Sequence, residues 1–184
     1  MSMIRAALSR LCLLIDRLCS AGAAVAATCC ALLALMLISE SIATAAFEWS
    51  QPWAVEYSAY LCALTLLAGS GYTLTRGAHI RVPIALEYLP RSVSRWLDLV
   101  CTLFAIAIVS ILVAGLFDLS LRSYQRGSVS YFVMQTPLWI PQSLLAMSAI
   151  LLWLALFARG VRLVIGEAPE RVTGAAAPVH EGHA

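Results

Sequence analysis

Three histidines, six cysteines and ten carboxylates are the residues from which this 184-residue chain would have to build a catalytic or metal site. His79, His180 and His183 all lie outside the apolar stretches of the chain. None can supply the histidine pair within a bilayer that a b-type haem requires. Cys12, Cys19, Cys29, Cys30, Cys62 and Cys101 contain no CxxC pair. A zinc site and a disulfide framework are therefore not expected, and cysteine reads here as a small apolar residue. The chain has no P-loop, GxSxG or HExxH motif. Serines and threonines in its apolar stretches have no histidine or carboxylate nearby to activate them. Glu40 and Asp118 stand at the ends of apolar stretches, where a side chain can reach lipid headgroups. An ionisable group in the middle of such a stretch costs about 2.5–3.5 kcal/mol on insertion scales, and the sequence has none there. The chemistry-bearing residues thus predict neither an enzyme nor a cofactor or metal site, but a scaffold that works as a subunit.

The elements that must hold these residues are apolar helices. The chain is 61% hydrophobic and 12% charged, with a mean hydropathy of +0.87. A soluble domain carries about 25% charged residues. Four stretches, residues 18–39, 57–75, 99–117 and 138–158, contain no Asp, Glu, Arg or Lys and are 19 to 22 residues long. A helix rising about 1.5 Å per residue needs about 20 residues to cross a hydrocarbon core of about 30 Å. A backbone in lipid must satisfy its own hydrogen bonds, so each stretch should be helical. The fold class expected is an all-α integral membrane protein with four transmembrane helices. These form one membrane domain over residues 1–165, and a tail over 166–184, rich in Ala, Gly and Pro, reads as disordered. The first stretch is longer than the roughly 7–15 residues of a signal-peptide core, which favours an uncleaved span. A net charge of +2 without a basic run argues against a nucleic-acid partner.

Arginine supplies all twelve basic residues. Three precede the first span, four lie in residues 76–98, two in 118–137 and three in the tail, while residues 40–56 have none. Placing both termini in the cytoplasm puts ten arginines inside and two outside, which the positive-inside rule favours. Residues 4–17 carry Ile4, Ala7, Leu8, Leu11 and Ile15 on one helical face, and form either an interfacial helix or an extension of the first span. Pro83 and Pro90 suit the first turns of helices. They predict a short amphipathic helix on the cytoplasmic face between helices 2 and 3. Gly127-Ser128 and Pro137 predict a turn and a fresh helix start. Gly22, Ala26 and Cys30 recur at a spacing of four, and Gly69 lies among small residues. Such positions let membrane helices approach closely.

The residues around the second span resemble a known family. Trp53-Ala54-Val55-Glu56 opens the span and Gly69 lies within it. Arg76-Gly77-Ala78-His79-Ile80-Arg81-Val82 follows, and then Leu89-Pro90. With the later Gly127-Ser128 and Pro137-Leu138-Trp139, this order is similar to the small membrane subunit (DctQ-like) of tripartite ATP-independent periplasmic (TRAP) transporters. The resemblance covers roughly residues 10–165. Thr44-Ala45-Ala46-Phe47 and Val55 depart from the family pattern, which has an Arg-Tyr-x-Phe-like end to the first span and paired Glu before the second.

The resemblance implies a small permease subunit in a bacterial inner membrane. Its partner would be a large membrane (DctM-like) subunit. Together they would form the static scaffold for sodium-driven uptake of an organic acid delivered by a periplasmic substrate-binding protein. Two other readings remain at this stage: a self-sufficient homo-oligomeric exporter, and the membrane anchor of a redox enzyme. The residues singled out as partner-interface or anchoring positions are Trp53, Glu56, Gly69, Arg76, His79, Arg81 and Trp139. Each has a plainer role beside the functional one. Trp53 and Trp139 suit an aromatic belt. Glu56 suits a helix N-terminus. Gly69 suits helix packing. Arg76, His79 and Arg81 suit lipid phosphate.

Overall fold

A computed structural model describes residues 2–49, 51–77 and 91–165. Among them are four helices: α1 (Ser2–Phe47), α2 (Ala54–Thr75), α3 (Arg91–Gln125) and α4 (Trp139–Ile165). No named strand occurs among the described residues; one isolated bridge, Val129 to Pro137, closes the α3–α4 connection. Each charge-free stretch falls within one helix, except that Leu138 immediately precedes α4, and each helix overruns its stretch at one end or both. Residues 4–17 continue α1 without a break, so the extension of the first span is what forms. The reason is packing: Cys12, Ile15 and Cys19 are buried against Ala155, Leu156 and Ala158 of α4. The short amphipathic helix expected after α2 and the tail from residue 166 lie outside the described residues.

Local chemistry ends α1 and α3. Gly127 follows α3 with φ +60°. Its N–H donates to Tyr124 O at 3.2 Å, and Ser128 N–H donates to Ser123 O at 2.9 Å, the pairing of a Schellman cap. α1 closes by the simpler αL motif: Glu48 N–H donates to Thr44 O at 3.1 Å, and Trp49 N–H reaches Ala43 O at 3.4 Å. There Glu48 holds the left-handed position (φ 52°) that usually takes glycine. Pro141 falls in the first turn of α4, where its missing N–H breaks no helical bond, and the helix runs on unbroken.

α4 is the hub. It packs on α1, α2 and α3, while α1 packs mainly on α2. α3 lies chiefly against α4 and is the least buried of the long helices. Among the described residues three helical segments, Leu8–Phe47, Trp96–Gln125 and Trp139–Ile165, are long and apolar enough to cross a membrane. α2 is not among them. Glu56, Tyr57, Tyr60, Tyr72 and its small polar residues lower its apolarity. α2 instead packs on both α1 and α4.

Close approach is achieved through glycine, though not chiefly at Gly69. A Cβ on Gly69 would meet only Ala26 Cβ at 3.5 Å, an ordinary contact. A Cβ on Gly22 would stand 2.8 Å from Leu151 Cδ1 and 3.0 Å from Ala68 O. On Gly71 it would stand 3.2 Å from Leu151 O and 3.3 Å from Cys19 Sγ. The α1–α2–α4 junction is therefore set by Gly22 and Gly71. Buried alanines of α4, including Ala146, Ala149 and Ala155, bring small surfaces to the same helix.

Candidate partner interface and anchoring sites

The first group of residues sits where α2 begins. Trp53 precedes the helix, and its carbonyl accepts from Tyr57 N–H at 3.1 Å. Its ring meets Tyr57 edge-on at 6.4 Å, and Tyr57 meets Tyr60 edge-on at 6.3 Å. Glu56, in the first turn, is only 1% exposed. A carboxylate there faces the positive end of the helix dipole. Tyr60 O–H donates to Glu56 Oε1 at 3.0 Å. Glu56 Oε2 is buried with no hydrogen-bond partner among the described residues. This carboxylate is thus held inside the chain rather than presented on its surface.

Two neighbouring segments shape that end of the bundle. Glu40, on α1, accepts from the Gln51 N–H at 3.0 and 3.2 Å through its two oxygens. It therefore fastens the α1–α2 connection, a more specific task than reaching headgroups. The α3–α4 connection is drawn in by Ser130 N–H donating to Thr136 O at 2.9 Å, and the Thr136 and Tyr57 hydroxyls lie 3.5 Å apart. At its tip Tyr131, Phe132, Val133 and Met134 are all exposed. Trp139 opens α4, stacks edge-on with Tyr124 at 5.7 Å and accepts through its carbonyl from Ser120 Oγ at 3.3 Å. Trp53, Glu56 and Trp139 therefore share one end of the bundle.

We predict that Tyr60→Phe, which removes only the hydroxyl, lowers stability by about 1–3 kcal/mol because Glu56 Oε1 loses its phenolic donor. Thermal unfolding of the purified chain in detergent measures this. A change below about 0.5 kcal/mol would mean that the hydrogen bond carries no weight.

The opposite end holds Arg76 and a pair of interhelical ion pairs. Arg76 is exposed, and its guanidinium lies 5.1 Å from the centroid of Tyr72. His79 and Arg81 lie outside the described residues. Arg162 of α4 binds Asp16 of α1 at 2.6 Å, with side chains 6% and 11% exposed. One turn earlier Arg159 binds Asp98 of α3 at 3.1 Å. Two arginines three residues apart on one helix thereby tie α4 to both α1 and α3. Sequence reasoning counted these arginines only toward orientation. The signal was present: Asp16 and Asp98 precede the first and third charge-free stretches, and Arg159 follows the fourth. An up-and-down bundle puts all three at one end.

The geometry shows internal fastening at both ends and no metal cluster among the described residues. The family follows from sequence comparison. Residues 33–166 match the model of the family described as tripartite ATP-independent periplasmic transporters, DctQ component. The chain belongs to the DctQ family. No curated protein and no solved structure matches the chain significantly. The match begins within α1 and covers α2, α3, α4 and both connections between them. It includes every residue singled out at the α2 entry and at the α3–α4 turn. DctQ proteins are transporter components rather than enzymes, and the apolar helices place this DctQ chain in a membrane.

Proposed function

We propose that this DctQ chain is the small permease subunit of a TRAP transporter. It forms a static scaffold with a large DctM-like membrane subunit. That subunit carries out ion-coupled, sodium-driven uptake of an organic acid handed over by a periplasmic binding protein. The observation that carries this reading is the family match over residues 33–166. The structure supports the scaffold role, because the buried charged groups work inside the chain. Asp16 pairs with Arg162, Asp98 pairs with Arg159, and Glu56 accepts from Tyr60. A carrier moving along its own path would need such groups for its cargo.

In this reading the chain is a multi-pass protein of the bacterial inner membrane with four spans and both termini in the cytoplasm. α2 crosses despite its polar residues because α1 and α4 pack on it. The end carrying Trp53, Glu56, Trp139 and the 131–134 tip then faces the periplasm, where the binding protein docks. Arg76, with His79 and Arg81, faces the cytoplasm. Liposome assays test the role. Vesicles holding both membrane subunits, supplied with binding protein, organic acid and a sodium gradient, are expected to accumulate substrate. Vesicles holding this chain alone are expected to stay at background. Uptake by the chain alone would overturn the proposal.

A further inference from the structure

We infer that the cleft between α1 and α2 beside Arg76 is a binding site for the phosphodiester headgroup of an anionic phospholipid. The cleft has a volume of about 240 Å³ and is lined by Asp16, Arg17 and Ser20 of α1 and by Tyr72, Thr75 and Arg76 of α2. Leu13 forms its apolar edge. Its volume falls below the roughly 300 Å³ at which pockets for whole small organic ligands begin. A headgroup fits such a space while the acyl chains stay outside. Leu13, Leu14 and Leu18, exposed on α1, give those chains an apolar surface beside the cleft.

The lining offers an anion two guanidinium groups. Asp16 is engaged through Oδ2 by Arg162 of α4 at 2.6 Å. Arg17 and Arg76 are both exposed and bring two guanidinium groups to one cavity from two different helices. The Tyr72 ring lies beneath the Arg76 guanidinium at 5.1 Å and restrains it. The C-terminal end of α2 would ordinarily repel an anion. Here two of its last carbonyls are engaged. Tyr72 O accepts from Arg76 N–H at 3.1 Å and from Thr75 Oγ1 at 2.8 Å, and Leu74 O accepts from Gly77 N–H at 3.2 Å. A forked guanidinium matches phosphate oxygens in geometry as well as charge. The site lies at one end of the helical bundle, the level at which phosphates of a bilayer stand. It requires no particular orientation and no partner subunit.

The test uses the full chain purified in detergent, titrated with phosphatidylglycerol, phosphatidylcholine or inorganic phosphate. Thermal stability and native mass spectrometry are the readouts. Phosphatidylglycerol is expected to bind saturably and raise the Tm, and phosphatidylcholine to bind at least about tenfold more weakly. Arg17→Gln and Arg76→Gln are each expected to weaken phosphatidylglycerol binding about fivefold to tenfold. Arg10→Gln, an exposed arginine outside the cleft lining, should leave it unchanged. If inorganic phosphate protects as well as the lipid and competes with it, the site takes free phosphate and the lipid assignment is overturned. Equal binding by all three variants, or equal binding of the two lipids, would overturn the site itself. Because Arg17 and Arg76 are exposed, their variants should fold. A variant with a lowered Tm before any lipid is added is replaced by Arg→Lys at the same position, which keeps the charge but removes the fork and is expected to bind with intermediate affinity.

Discussion

Replacing Arg162 with methionine should destabilise the chain more than any other single substitution considered. The expected loss is about 3–5 kcal/mol, the usual cost of removing one partner from a buried ion pair. Asp16 is 11% exposed and loses a guanidinium at 2.6 Å. The methionine keeps much of the length and apolar bulk of the arginine, so the loss reports charge rather than a cavity. The pair itself need not be strongly stabilising, because desolvation offsets much of its attraction. Hence Asp16→Leu combined with Arg162→Met should recover most of the Tm lost in Arg162→Met alone. Arg122 and Asp118 supply the control. They form an i,i+4 pair at 2.8 Å with side chains 61% and 56% exposed, and Arg122→Met should leave the Tm unchanged within error. Thermal unfolding in detergent of these three variants and the wild type decides it. Equal Tm for Arg162→Met and wild type would show that the α1–α4 ion pair does not hold the bundle together.

The second large effect is expected at Gly71. Gly71→Val places a branched side chain where even a Cβ would stand 3.2 Å from the Leu151 carbonyl oxygen and 3.3 Å from Cys19 Sγ. Leu151 O is backbone of α4 and cannot swing aside, so α2 and α4 must separate. Overpacking of this kind costs about 1–3 kcal/mol, and the added branch puts the variant at the upper end. Gly71→Ala should cost less. Gly69→Ala should be nearly neutral, because its Cβ meets Ala26 at an ordinary 3.5 Å. Gly115→Ala should stabilise slightly, since nothing lies within 4 Å of the added carbon and alanine is the better helix former. The order Gly115→Ala, Gly69→Ala, Gly71→Ala, Gly71→Val, from most to least stable, is the expected result of Tm measurements. A Gly69→Ala variant less stable than Gly71→Ala would contradict the packing.

The helices were legible because charge is excluded from lipid. Each charge-free stretch marks one helix. The true ends were not legible on that criterion, since it stops at the first charged residue. Arg17 bounded the first stretch, yet it and Asp16 lie inside α1, where Asp16 is compensated by Arg162 from 146 residues away. Glu56 was legible as a residue of the α2 entry, from its position beside Trp53 and the resemblance that the family match supports. Its burial was not, because it depends on Tyr60 being oriented in the fold and on the 128–137 connection folding back over α2. Gly69 shows a related limit. Spacing identifies small residues that permit close contact, but only the facing backbone shows which of them is used. In this chain the facing backbone is Leu151 of α4 for Gly71 and Ala68 of α2 for Gly22. The exposed 131–134 tip carried no motif and appears only once the Val129–Pro137 bridge closes the turn.

The central claim is that this chain acts as a subunit, and gentle affinity purification of the tagged chain from its native membrane tests it most directly. Mass spectrometry of what accompanies it supplies the readout. The account predicts recovery, in near-equal amounts, of one much larger and very hydrophobic membrane protein of the DctM type. Recovery of the chain by itself, as a monomer or a homo-oligomer, under conditions that preserve other membrane complexes would contradict it.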